Sequence, residues 1–103
     1  MKTTVITELV QFKVLETTTN EQIETSVKNL NEFQKKLNGF IGAEFVKDLK
    51  ENFWCIIFHY ENFEKVQIIG EKLRNNRVFP DFKSLIKPES LNISFYYQLK
   101  KWE

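Results

Sequence analysis

One segment limits the folds open to this chain more than any other. Residues 53–60 have the sequence FWCIIFHY. Successive side chains of a β-strand point to opposite faces of its sheet, and apolar side chains occupy both alternating sets of positions here. Such a run is typical of a strand that is buried on both faces. We therefore predict that Phe53–Tyr60 forms a central strand.

Three further segments provide partner strands. Thr3–Glu16 is rich in Val, Ile, Thr and Phe, and its even positions from Ile6 to Val14 are apolar except for Glu8. Phe40–Leu49 precedes the central run and is separated from it by a short polar turn. The last segment alternates apolar and polar residues from Leu91 to about Lys100. These compositions and alternations favour β-strands.

Two helices are predicted between the strands. The first begins after Thr17–Asn20, where Thr18 or Thr19 can form a capping box with the residue three positions later. Gly39 ends it, because glycine adopts the left-handed cap conformation without steric cost. Its apolar stripe consists of Ile23, Val27, Leu30, either Phe33 or Gln34, and Leu37.

The second helix follows Asn62, which has the side chain of a typical N-cap. Its apolar stripe consists of Val66, Ile69 and Leu73. Asn75 and Asn76 end it. Pro80 is then predicted to begin a short helical segment that Lys87-Pro88 closes, because the residue before a proline resists helical geometry.

The order strand–helix–strand–strand–helix–strand predicts a ferredoxin-like α+β fold, with an antiparallel sheet and both helices on one face. At 103 residues the chain is expected to form a single domain over residues 1–103. Helices on one face leave the other face of the central strand exposed. A second copy of the chain, related by a two-fold axis, is the simplest cover, so we predict a homodimer.

Composition excludes several classes of function. Fifteen basic and fourteen acidic residues nearly cancel and are interspersed, so no nucleic-acid partner is expected. No apolar run approaches the ~18 residues of a membrane span. The single cysteine, Cys55, and the single histidine, His59, predict no metal site. An unpaired cysteine and the lack of a signal-peptide pattern predict a cytoplasmic protein.

The segment Leu37–Phe63, with the sequence LNGFIGAEFVKDLKENFWCIIFHYENF, resembles the antibiotic-biosynthesis monooxygenase family. The shared pattern is a helix ending in Gly, a strand, a turn, a strand ending in an aromatic residue, and a helix start like Tyr60–Glu64. Phe82–Ile86 and Pro88–Leu91 are similar to the family's ending. This resemblance implies a dimeric α+β barrel.

Known members include cofactor-independent monooxygenases acting on aromatic polyketides and quinols, and haem-degrading enzymes. The haem enzymes carry a histidine in or just after the second long helix, whereas Val66–Ile86 contains none. We therefore expect no haem and no other cofactor. The resemblance implies a monooxygenase acting on a small aromatic or quinol-like compound. The alternative is a non-catalytic dimeric barrel that binds a small apolar ligand or serves as an assembly module.

Two residues are candidates for catalysis. Glu8 interrupts an apolar strand face, and a buried carboxylate is costly unless it is paired, protonated or used. The resemblance adds that family monooxygenases hold substrate or oxygen near this point of the first strand. His59 has the side chain whose ordinary pKa best suits a general base, and it is expected on the face away from the helices. The competing interpretations are a solvent-exposed Glu8 and a hydrogen-bonded interface histidine.

An aromatic row predicts a substrate-binding wall. Trp54, Phe58 and Tyr60 share one side of the central strand, and Ile69 lies on the apolar stripe of the second helix. Ligand pockets are mostly apolar with a few polar groups, which suits this row together with Glu8. Core packing is the competing explanation, because aromatic residues dominate the burial of protein cores.

Overall fold

The computed structural model describes residues 4–103, so Thr3, the predicted start of the first strand, lies outside the described residues. Within this range the chain forms one four-stranded sheet and three α-helices. In chain order the elements are β1 Ile6–Phe12, α1 Asn20–Lys35, β2 Phe40–Lys47, β3 Trp54–Tyr60, α2 Phe63–Arg74, α3 Val78–Lys83 and β4 Asn92–Tyr97. A 3₁₀ turn, Pro88–Ser90, precedes β4.

The sheet has the strand order β2-β3-β1-β4 and every pairing is antiparallel. The predicted ferredoxin-like α+β fold is therefore confirmed, with β3 in a central position. Two register pairs position the candidate catalytic residues: Thr7 lies opposite His59, and Glu8 lies opposite Phe58.

Strands β1 and β4 are shorter than the sequence predicts. The ladder between them runs from Ile6–Tyr97 to Gln11–Asn92, and among the strands of residues 4–103 β4 pairs only with β1. Beyond Tyr97 a further backbone bond, from the amide of Gln98 to the carbonyl of Val5, continues the contact. A strand can pair only as far as its neighbour extends. Apolar alternation in one segment does not show where the neighbouring strand ends, so it overestimates the length of the strand.

Helix α1 begins with one of the two predicted capping boxes. The Thr19 hydroxyl accepts from the Gln22 amide at 3.1 Å, and the Gln22 side chain accepts from the Thr19 amide at 2.8 Å. The Thr18 hydroxyl instead donates to the carbonyl of Leu85 at 2.8 Å. The helix ends at Lys35 with Lys36 as its C-cap, so the prediction that Gly39 caps the helix is wrong. Gly39, with a φ of 103°, instead lies in the turn that leads into β2, where glycine adopts a positive φ without steric cost.

The short helix α3 begins two residues before the predicted start at Pro80. Its first residue is Val78, whose amide donates to the Asn76 side chain at 3.1 Å. Pro80 is the third helical residue. The amides of the first turn have no partner inside the helix, so a proline is tolerated there as well as at the first position.

Both long helices pack on one face of the sheet, which we call the covered face. The core joins β1 and β3 residues of even number to the inner stripes of the helices, as in the set Val10, Phe12, Ile56, Ile23, Leu30 and Ile69. The opposite face, which we call the open face, carries the odd-numbered residues of β1 and β3. On the covered face β4 is the least protected strand, since Ile93 and Phe95 are 42% and 45% exposed.

Candidate active site

A cavity of about 590 Å³ lies on the covered face, between α2 and the outer strand β4. Its floor is the sheet and its far wall is α2. The lining residues are Glu8, Tyr60, Phe63, Val66, Gln67, Gly70, Glu71, Leu73, Arg74, Phe79, Ile93 and Phe95. Because β4 is incompletely covered, the cavity is accessible from that edge of the sheet.

Glu8 contributes a carboxyl group to the cavity floor. In the sheet it lies between Phe58 on β3 and Phe95 on β4, so its cross-strand neighbours are aromatic. Burial raises the pKa of the Glu8 carboxyl to about 7, and a hydrogen bond with the Tyr60 hydroxyl opposes that shift to a smaller extent. The carboxyl is thus divided between its protonated and ionised forms near neutral pH.

Tyr60 connects Glu8 to the interior of the molecule. Its hydroxyl donates to Oε1 of Gln34 on α1 at 2.6 Å. Burial and the adjacent Glu8 carboxylate both raise the pKa of the Tyr60 hydroxyl far above its usual value, so it stays protonated. Glu8 and Tyr60 line the same cavity, and Tyr60 is hydrogen-bonded to Gln34 behind it; we call these three residues the buried relay.

The walls of the cavity combine aromatic rings with two charges. Phe63 and Phe95 pack edge to face, with ring centroids 5.8 Å apart. On α2, the charged residues Glu71 and Arg74 also line the cavity, and both are exposed to solvent. The site therefore combines flat apolar surfaces, one carboxyl on the floor whose pKa is near neutral pH, and a cationic residue at the side. This combination suits an aromatic ligand that carries hydroxyl groups.

The structure brings together only part of the predicted site. Glu8 and Tyr60 both line the cavity, on the covered face as expected. Trp54, Phe58 and Ile69 are 4%, 3% and 1% exposed, belong to the hydrophobic core and do not line the cavity. Trp54 pairs with Phe12 at the opposite end of β3 from Tyr60.

His59 lies on the open face, so it is separated from Glu8 by the thickness of the sheet. Its Nδ1 is 3.1 Å from the Thr7 hydroxyl and its Nε2 is 3.1 Å from the Glu44 carboxylate. We call Thr7, His59 and Glu44 the open-face triplet. The two predicted catalytic residues therefore belong to two different sites, and each has partners that the sequence did not reveal.

Several residues that line the cavity, and Gln34 behind it, carry little or no signal in the sequence. Gln34 was one of two alternatives for the inner stripe of α1, and the structure selects it: it is fully buried, at 0% exposure. A polar residue at an apolar helix position was the available signal. Arg74, Phe79 and Phe95 carried no such signal, because their side chains meet only when α2, α3 and β4 come together.

Two general features bear on the chemistry. Across residues 4–103 no group of three or more histidine, cysteine, aspartate or glutamate side chains is arranged to hold a metal ion. In the same part of the chain no helix has the length and apolar character needed to cross a membrane.

The fold matches solved structures, although no family model and no curated protein matches the sequence. SnoaB, a cofactor-independent oxygenase from Streptomyces nogalater, aligns with a TM-score of 0.81 at 10% identity, over 94% of this chain and 95% of its own. A candidate antibiotic biosynthesis monooxygenase from Caulobacter crescentus gives a TM-score of 0.78 at 11% identity, over 95% and 92%.

A protein of unknown function from Bacteroides thetaiotaomicron, described as a possible oxidoreductase, gives a TM-score of 0.76 at 17% identity, over 92% of this chain and 98% of its own. At such identities the agreement establishes a shared fold. The resemblance noted in the sequence is confirmed at that level: the chain has the fold of antibiotic-biosynthesis-monooxygenase-like proteins.

Proposed function

We propose that the protein is a cofactor-independent monooxygenase that acts on a small aromatic compound bearing hydroxyl groups, such as a quinol. The observation that carries the proposal is the Glu8 carboxyl, whose pKa is raised to about 7 on the floor of a partly aromatic cavity of about 590 Å³. The names of the solved structures with this fold point to the same class of chemistry.

The proposed reaction balances without an added reductant. A quinol and O₂ give a hydroxyquinone and water: one oxygen atom enters the ring, the other leaves as water, and the substrate supplies all four electrons. Glu8 acts as the general base, because a group with a pKa near the working pH can both accept and return a proton. Removal of a phenolic proton gives an electron-rich anion that reacts with O₂ at a ring carbon.

The other cavity residues have roles that follow from their chemistry. The Phe63 and Phe95 rings provide apolar surfaces for a flat substrate. The Arg74 guanidinium offers a positive charge to the phenolate that forms when Glu8 takes the proton. The cavity volume falls within the range of about 300–1,000 Å³ that small-molecule sites usually have.

A homodimer is part of the proposal. On the open face Ile41, Val46 and Tyr96 are 54%, 49% and 52% exposed, and Leu9 and Ile57 lie half-buried between them. Several exposed apolar side chains grouped on one sheet face are typical of a surface that binds a partner. A second copy packed face to face would cover it with identical residues related by a two-fold axis. The unpaired Cys55 fits a cytoplasmic location.

The test is aerobic turnover with a panel of quinols and polyphenols, followed by oxygen uptake and by mass spectrometry with ¹⁸O₂. The wild-type protein should transfer one oxygen atom to at least one compound. Glu8→Gln keeps the shape of the side chain but cannot accept the proton, so its kcat should fall roughly 10²- to 10⁴-fold. Glu61→Gln, which changes an exposed carboxylate outside the cavity, is the matched control and should retain full activity.

Two outcomes would contradict the proposal. If phenols bind in the cavity but none is oxidised by wild-type protein, the non-catalytic ligand-binding alternative is correct. If turnover occurs and Glu8→Gln leaves it unchanged, the reaction does not depend on the cavity carboxyl, and the assigned general base is wrong.

A further inference from the structure

Within the buried relay one polar atom is left without a partner. Gln34 Nε2 is buried and has no hydrogen-bond partner in the part of the chain that the structure describes, whereas Oε1 of the same amide accepts from Tyr60 at 2.6 Å. A buried amide without a partner costs about 1–3 kcal/mol, so such an arrangement calls for a compensating role. Gln34 is thus fully buried and also carries the unpartnered atom, and it lies behind Tyr60, the residue next to Glu8.

The direction of the hydrogen bonds fixes where the proton is. A tyrosine hydroxyl has one hydrogen. In the observed arrangement that hydrogen is donated to Gln34 Oε1, so toward Glu8 the Tyr60 oxygen can only accept, and a hydrogen bond between the two requires a protonated Glu8. The hydrogen bond that lowers the pKa of Glu8 has the opposite direction, because it is donated by Tyr60 to the ionised carboxylate.

A second arrangement uses the same atoms. A half-turn of the Gln34 amide places Nε2 where Oε1 was, so that Nε2 donates to the Tyr60 oxygen. The Tyr60 hydroxyl is then free to donate to Glu8, and it satisfies an ionised carboxylate. Each arrangement keeps both hydrogen bonds to Tyr60 and leaves one buried amide atom of Gln34 without a partner.

We infer that Gln34 is a positioning residue for the proposed reaction: its amide turns by half a revolution as Glu8 gains or loses a proton, and Tyr60 transmits the change. The inference rests on the proposed function for its purpose. When Glu8 accepts a phenolic proton, it becomes the donor to Tyr60, and the Gln34 amide turns its oxygen toward the Tyr60 hydroxyl. When Glu8 returns the proton, the amide turns back.

Two further charged residues line the same cavity as Glu8, and the experiment must separate their effect on Glu8 from that of the buried relay. From α2 these are Glu71 and Arg74, and from β3 the titratable neighbour is Tyr60 itself. The cavity-lining residues of α3 and β4 are Phe79, Ile93 and Phe95, which carry no charge. Charges on α2 would act on Glu8 through space, whereas the relay acts through the Tyr60 hydroxyl.

The experiment is a pH titration by NMR that needs no substrate. The side-chain carboxyl carbon of Glu8 and the side-chain amide of Gln34 are followed together, with Glu8→Gln and Gln34→Leu used to assign the two signals. In wild-type protein both should titrate with one midpoint near pH 7. The side-chain amide of Gln22, held in the capping box of α1, should stay constant through that range.

Tyr60→Phe separates a relay from simple proximity. Without the hydroxyl, Glu8 loses a donor to its ionised form, so its midpoint should rise. The Gln34 amide should no longer follow it. If the Gln34 signals ignore the wild-type titration of Glu8, or still follow it in Tyr60→Phe, the inference is overturned. Should Tyr60→Phe not fold, the wild-type titration alone decides.

Failure of the relay is distinguishable from failure of the proposed function. If Glu8 and Gln34 titrate together but no quinol is oxidised, the relay is supported and the proposed reaction is refuted. If turnover depends on Glu8 but Gln34 does not titrate with it, the reaction is supported and the role of Gln34 is refuted. Where both are present, the pH at which kcat/KM is half-maximal should shift upward in Tyr60→Phe, together with the Glu8 midpoint.

Discussion

The two faces of the sheet carry two polar groups built from neighbouring residues of the same two strands. On the open face, Thr7 and His59 lie opposite one another in β1 and β3, and Glu44 joins them from β2. One residue further along each strand, Glu8 and Tyr60 point to the covered face and join Gln34. The two groups are nearly adjacent in sequence, but their surroundings are opposite.

The difference between the faces shows that burial gives a carboxyl its chemistry more than residue type does. Glu44 has a side chain that is 65% exposed and pairs with His59 in contact with water. Glu8 lies between aromatic neighbours beneath α2, and burial raises the pKa of its carboxyl to about 7. A carboxyl whose pKa lies near neutral pH is thereby placed on the covered face.

The largest effect is expected at the open face if it is the dimer interface. Ile41→Asp introduces two charges into a two-fold interface, and an uncompensated buried charge costs roughly 3–5 kcal/mol. Light scattering at micromolar concentration should change from about twice the chain mass of 12.4 kDa to the mass of one chain. Ile68→Asp on α2, where the wild-type side chain is 43% exposed, is the matched control and should stay dimeric. A monomeric wild-type protein would refute the dimer.

The second largest effect is expected in the pH dependence of the free energy of unfolding, through Glu8 on the covered face. Native Glu8 holds its proton up to about pH 7, whereas the unfolded chain releases it near pH 4.5. The native state binds the proton more tightly, so the free energy of unfolding falls as pH rises through this range, by about 3 kcal/mol in total. Urea unfolding at several pH values should show this loss in wild-type protein and not in Glu8→Gln. Equal pH dependence in both proteins would place Glu8 in solvent.

A smaller gain is expected from removing the buried charge altogether. At pH 8, where Glu8 is ionised, Glu8→Leu should raise the free energy of unfolding by about 1 kcal/mol, because an apolar side chain suits the aromatic surroundings better than a carboxylate. The gain should shrink at pH 5, where the wild-type carboxyl is protonated. Chemical denaturation at the two pH values measures it. A loss of stability at pH 8 would show that the contact with Tyr60 outweighs desolvation.

The smallest effect is expected for the open-face contact between His59 and Glu44. In the monomeric Ile41→Asp background, Glu44→Gln should lower the free energy of unfolding by less than about 1 kcal/mol, because a polar contact with one largely exposed partner contributes little. A double-mutant cycle with His59→Gln isolates the pair. In the dimeric protein the same substitution should cost more, since the pair would then be covered. Equal values in both backgrounds would indicate that the pair stays in water.

Much of the fold could be predicted from the chain itself, because it depends on local periodicity. The alternation in β1 and β4, the two-sided apolar run of β3 and the helix signals at Thr19 and Asn62 required only neighbouring residues to interpret. The parity of strand positions was enough to assign Glu8 and His59 to opposite faces of the sheet. The predicted ends of the strands and the predicted start of α3 were less accurate. A strand ends where its neighbour stops pairing with it, and α3 begins before Pro80 because the first-turn amides of a helix have no partner inside the helix, so proline is tolerated there.

The site was decided by tertiary structure. Three features of the site depend on residues that are distant in sequence. They are the burial of Phe58 and Ile69, the packing of α2 beside β4 around the cavity, and the contact between Tyr60 and Gln34. The sequence by itself determined which side chains share a face, since strand and helix periods are local geometry. Only the packed chain decided which of them are buried, and burial is what raises the pKa of the Glu8 carboxyl to about 7.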